Sequence, residues 1–101
     1  MNLNRISPSQ LNLLVKDEAD FLLIDLRENY ELEIYGKIDY SIHIPLEELV
    51  DRLNELPSDR PVVFHCSSGK RSENILNFLI INDLHKENYF NLDGGYQAIT
   101  I

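Results

Sequence analysis

The chain has a single cysteine in 101 residues. One thiol closes no internal disulfide, so the fold must rest on an apolar core, and this length suffices for one core in one domain spanning 1–101. Cations are scarce too: nine Lys and Arg against seventeen Asp and Glu leave a net charge of −8. That balance argues against a general binder of nucleic acid or of anionic membrane. Long apolar runs are also missing. Phe78-Leu79-Ile80-Ile81 is among the longest, far short of the ~18 residues of a membrane span. No continuous apolar stretch follows Met1, so export is not expected, and a lone thiol then suits a reducing cytoplasm. No metal or cofactor is expected, because Cys66 and the scattered His43, His65 and His85 lack ligand spacing. Repeats, low-complexity tracts and linkers are absent.

Against this acidic background, Val62-Val63-Phe64-His65-Cys66-Ser67-Ser68-Gly69-Lys70-Arg71-Ser72 stands out. A short apolar run ends at the lone cysteine, crosses a loop of small residues, and meets two cations where a helical pattern begins. Such a junction gathers backbone N–H donors and the positive end of a helix around one sulfur. Cys66 lies just past a strand, where open α/β sheets place their ligands. Ser67, Ser68 and Gly69 are small enough to let their N–H groups curl toward it. Each influence favours the thiolate, and cysteines in comparable settings titrate at ~3.5–7.5 instead of ~8.5. A reactive thiolate at neutral pH is the expectation. Lys70 and Arg71 oppose the helix dipole, a placement that reads as a local site for an anion. His65 should point to the opposite face of its strand from Cys66, which speaks against a papain-like Cys–His pair. Four residues separate Cys66 from Arg71, where cysteine phosphatases use five, so the tighter loop suits one added sulfur better than a tetrahedral phosphate.

The other elements follow from pattern. Ser7-Pro8-Ser9-Gln10 is a helix start, with Ser7 as cap, Pro8 at the first position and Gln10 completing a capping box. Leu11, Leu14 and Val15 continue a helix over 8–17, preceded by a very short strand at Arg5-Ile6. Phe21-Leu22-Leu23-Ile24 reads as a strand buried on both faces, with Asp25 and Arg27 at its C-terminal end. Asn29 to Tyr35 is a short helix stopped by Gly36. Ser41 to Ile44 is a strand, and Leu46 to Leu56 carries a helical apolar stripe with Glu48 and Arg52 at i,i+4. A helix over 70–82, a strand at Tyr89-Phe90-Asn91-Leu92, a turn at Asp93-Gly94-Gly95 and a helix from Tyr96 to Thr100 complete the chain. Strands alternating with helices predict an α/β sheet with right-handed crossovers.

Four stretches together resemble the rhodanese family. Leu23-Ile24-Asp25-Leu26-Arg27-Glu28 is similar to its D-x-R-E strand end. Gly36-Lys37-Ile38-Asp39-Tyr40-Ser41-Ile42-His43-Ile44-Pro45-Leu46 resembles G-H-I-P-G-A-x-x-I-P-L. The Cys66 stretch resembles V-V-x-x-C-x-S-G-x-R-S, and Leu92-Asp93-Gly94-Gly95-Tyr96-Gln97-Ala98-Ile99 is similar to L-x-G-G-x-x-A-W. Departures fall at Lys37, Asp39-Tyr40 and Ile99, away from the sulfur, and bear on partner recognition. The resemblance implies a three-layer α/β/α rhodanese-like fold around a five-stranded parallel sheet. It also implies sulfurtransferase activity through a Cys66 persulfide, with sulfur taken from thiosulfate or a persulfide and given to a thiol, cyanide, or a protein such as a thioredoxin or a sulfur carrier. The loop N–H groups of Ser67, Ser68, Gly69, Lys70 and Arg71 would steady the anionic sulfur, as an oxyanion hole steadies oxygen. Lys70 would hold the donor's anionic group. Two roles stay open for Arg71, contact with the donor or an ion pair with Asp25 that braces the loop. Asp25 and Arg27 support from the strand end. Two other functions remain: a binding or regulatory module without turnover, and arsenate reduction or dephosphorylation, which the loop length disfavours.

Overall fold

The two continuous apolar runs become the centre of a parallel sheet in the computed structural model, which describes residues 2–99. The strands are β1 (Arg5–Ile6), β2 (Leu22–Asp25), β3 (Ile42–His43), β4 (Val62–His65) and β5 (Tyr89–Leu92). They lie in the order β1-β5-β4-β2-β3, with every pairing parallel. The apolar runs thus occupy adjacent inner positions, where both faces of a strand are covered. All four residues of β4 are buried.

Alternation along the strands sorts side chains into two cores. Ile24 and Phe64 face Leu76 and Leu79 of helix α3 (Lys70–Ile81), together with Leu49. Leu23, Val63 and Leu92 face Leu11 of helix α1 (Pro8–Lys16), with Leu14 and Ile99 packed alongside. This is the three-layer α/β/α arrangement. Each buried Leu or Phe contributes roughly 1.5–3 kcal/mol relative to exposure.

Local signals act as expected at several ends. Ser7 Oγ accepts from the Gln10 N–H at 3.1 Å and Gln10 Oε1 accepts from the Ser7 N–H at 2.8 Å, so both halves of the capping box form around Pro8. Helix α2 (Asn29–Tyr35) ends at Gly36, whose φ of +82° is a conformation that side chains resist. The last helix, α4 (Gly95–Ile99), starts one residue before Tyr96, and Thr100 lies outside the described residues.

One element differs in kind. Leu46 to Leu56 is not a continuous α-helix but two 3-10 segments, Leu46–Glu48 and Val50–Glu55. Its turns close between residues three apart, as in Leu49 N–H to Leu46 O and Leu56 N–H to Leu53 O. The reason is visible in the spacing: Val50, Leu53 and Leu56 repeat every three residues, the 3-10 period. Arg52 still reaches Glu48 at 3.0 Å and also Glu55. Among the described residues, no helix is long and apolar enough to cross a membrane.

Candidate active site

Cys66 follows β4 directly and is fully buried. Its sulfur accepts from the Gly69 N–H at 3.2 Å and from the Ser72 N–H at 3.4 Å. Ser72 is the third residue of α3, so the sulfur takes the place of a helix cap. The capping residue, Gly69, has no side chain to offer and sits at φ +95° to turn the chain. Negative charge at this point faces the positive end of α3. Of the five N–H donors expected from Ser67 to Arg71, the described hydrogen bonds to sulfur include only that of Gly69. Ser72 was missing from the expected set, although it closes the motif.

The loop is held from above by α4. Tyr96 N–H donates to Cys66 O at 2.8 Å and Gln97 N–H to Ser67 O at 3.0 Å, while Gln97 Nε2 reaches Ser67 Oγ. This approach requires glycine at 95: a Cβ there would sit 2.5 Å from Cys66 O and 2.7 Å from Ser67 O. Gly95 therefore acts on the Cys66 loop directly. Ser68 is exposed.

Two arginines reach the site, and the Arg71–Asp25 pair that the sequence left open does not form. Asp25 is taken by Arg27, two residues on, through contacts of 2.8–3.2 Å. Arg27 is buried, donates also to Gly36 O at 2.9 Å, and stacks with its Cζ 4.0 Å from the Tyr96 ring centroid. Burial works to raise the Asp25 carboxyl, but His65 and Arg27 outweigh it and hold it well below the usual carboxylate range. Of the two, the Arg27 guanidinium is the sound hydrogen bond, since His65 Nε2 is 3.5 Å away. His65 Nδ1 meets Ile24 O at 3.1 Å, so His65 does point away from Cys66.

Arg71 pairs with Glu31 of α2, not with Asp25, through two contacts of 2.7 and 2.8 Å. Asp25 is already saturated by its neighbour, which leaves Arg71 to bridge α3 to α2. The Arg71 hydrogen bond lowers the Glu31 carboxyl, and Glu31 raises the guanidinium in turn. Glu31 was not anticipated, because it is one of several acidic residues at 28, 31 and 33 and nothing local sets it apart. Lys70, at the start of α3, is exposed and forms no ion pair among the described residues. Above the loop lies a cavity of ≈ 420 Å³ walled by Arg27, Arg71, Tyr30, Tyr35, Tyr96 and neighbours.

Fold and site together define a parallel α/β protein with a buried cysteine at the head of a helix-capping loop. The model of the rhodanese-like domain family matches residues 7–101. A protein of Allochromatium vinosum named sulfurtransferase is 33% identical over 95 residues, covering 94% of this chain and 86% of that one. A tRNA uridine(34) hydroxylase of Bdellovibrio bacteriovorus is 29% identical over 97 residues, covering 91% of this chain but 27% of that protein. The crystal structure of a rhodanese-related protein from Thermoplasma volcanium superposes with a TM-score of 0.77 at 31% identity, covering 95% of this chain and 89% of that one. The chain belongs to the rhodanese-like family.

Proposed function

We propose that this protein is a sulfurtransferase that carries sulfane sulfur as a Cys66 persulfide. The observation that carries the reading is the Cys66 sulfur, seated at the head of α3 on two backbone N–H donors. In the first step the Cys66 thiolate attacks the outer sulfur of thiosulfate. A new S–S bond forms, the S–S bond of the donor breaks, and sulfite leaves with its electron pair. A persulfide donor reacts likewise and leaves as its thiolate. In the second step an acceptor (a thiolate, cyanide, or a cysteine on a thioredoxin or sulfur-carrier protein) attacks the outer sulfur, and Cys66 departs as thiolate. The N–H donors and the helix end steady the anionic sulfur in both steps.

The two loop cations divide the remaining work. Arg71, held by Glu31, braces the loop against α2, whereas Lys70 is free to meet the donor's anionic group. Thiocyanate formation from thiosulfate and cyanide tests this division. Lys70→Ala should lower kcat/KM for thiosulfate about tenfold, as expected for loss of one exposed charge contact, while leaving a preformed persulfide as stable as in wild type. Equal losses in both would move Lys70 from donor binding to loop structure. Absence of turnover with thiosulfate and with glutathione persulfide alike would remove the sulfurtransferase reading.

A further inference from the structure

We infer that Asn91, which never touches the sulfur, sets the protonation of Cys66 by controlling where the Ser72 hydroxyl points. Both residues are buried. Ser72 Oγ lies 3.6 Å from Cys66 Sγ, 3.1 Å from Gly69 O and 2.5 Å from Asn91 Oδ1. A hydroxyl has one proton to give.

The orientation of the Asn91 amide is fixed from its far side. Its Nδ2 donates to Asp93 Oδ1 at 3.0 Å, and Asp93 is in turn held by Arg5 at 2.9 Å. An ionised carboxylate only accepts, so the amide nitrogen must face Asp93 and the amide oxygen must face Ser72. That oxygen also only accepts. The short contact is therefore Ser72 O–H donating to Asn91, with Gly69 O as the second acceptor. The sulfur is left facing hydroxyl lone pairs, which suit an S–H donor. A sulfur anion needs the reverse, with the O–H turned onto it. Asn91, the Gly69 carbonyl and the sulfur compete for one proton, and Asn91 makes the shortest contact.

The charged groups nearby do not replace this contact. Arg71 on α3 is engaged by Glu31 from α2, Lys70 is exposed, and His65 on β4 turns toward Ile24 O and Asp25. Behind Asn91, Arg5 joins Asp93 and Glu73. Among the described residues, Ser72 supplies the side-chain contact to the sulfur. Asn91 is thus a positioning residue. In the sulfur-transfer reading, on which only this sentence rests, the Ser72 O–H turns from Asn91 to the sulfur as Cys66 leaves as thiolate.

The test is the pH dependence of Cys66 alkylation by iodoacetamide in wild type, Asn91→Leu, Ser72→Ala and the double variant. Alkylation needs no sulfur donor, so its outcome is independent of whether sulfur is transferred. Freed from Asn91, the hydroxyl is shared between Gly69 O and the sulfur, and the midpoint in Asn91→Leu falls by about half a pH unit. Ser72→Ala has no hydroxyl to turn onto the sulfur, so its midpoint lies above that of Asn91→Leu, because a bond to the charged sulfur is the stronger one. The double variant matches Ser72→Ala, since Asn91 acts only through the hydroxyl. Asn91→Ala, which leaves more room in the strand, gives the same pattern and serves where the Leu variant does not fold. A shift of equal size with and without Ser72, an upward shift on removing Asn91, or no shift would each overturn the inference.

Discussion

Two arginine–carboxylate pairs stand at the same corner of this molecule and behave differently. Arg27 and Asp25 expose 1% and 0% of their side chains, whereas Arg71 and Glu31 expose 38% and 9%. Both pairs are bidentate, so hydrogen bonding alone does not separate them. Burial does. The inner pair links the end of β2 to the Gly36 carbonyl at the end of α2, and water cannot replace either partner. The outer pair closes α2 onto the Cys66 loop, where solvent reaches the guanidinium. On the proposed function, the inner pair acts as scaffold and the outer pair braces the site.

Removing one member of each pair puts this contrast at risk. Arg27→Ala leaves a buried carboxylate uncompensated and should cost about 3–5 kcal/mol in urea unfolding. Acid sharpens the same point. The folded-state carboxyl of Asp25 lies below its ordinary value of ~3.9, so its contribution is present above that pH and is lost as pH falls toward the folded value. An Asp25→Asn variant should therefore lose stability less steeply in acid than wild type. A loss below about 1 kcal/mol for Arg27→Ala would deny the inner pair its scaffold role.

The outer pair should show the opposite balance. Glu31→Gln should lower stability by less than about 1 kcal/mol, since Arg71 is more than a third exposed and solvent screens it. Persulfide formation from thiosulfate should nevertheless slow about tenfold, because the loop loses its brace and the sulfur its alignment. If Glu31→Gln destabilises the fold as much as Arg27→Ala, the two pairs are of one kind and the contrast fails. If it leaves sulfur uptake unchanged, Arg71 does not shape the loop.

Much of this was legible in the sequence. Apolar runs placed β2 and β4, Ser7-Pro8-Gln10 placed the start of α1, and Gly36 placed the end of α2. The cysteine loop was recognisable because small residues and a helix start leave few other geometries. Contacts between elements were harder to read. Asp25 was a reasonable partner for Arg71 until the chain bend let Arg27 fold back onto it two residues later. Glu31 becomes the partner only because the fold brings α2 within reach of the start of α3, a relation with no local signature. Asn91 did leave a signal: it is the polar interruption in the buried strand Tyr89-Phe90-Asn91-Leu92. A buried amide demands partners, and those partners lead to Ser72 and the sulfur. The 3-10 character of 46–56 was also present, in a three-residue spacing that a helical stripe resembles.

The central claim is that Cys66 accepts a single sulfur. Intact-mass spectrometry after incubation with thiosulfate or glutathione persulfide tests it most directly. The account predicts a gain of about 32 Da, one sulfur atom, on wild type, removed by cyanide or excess thiol and absent from Cys66→Ala. An adduct that persists in Cys66→Ala, or none on wild type with either donor, would contradict it.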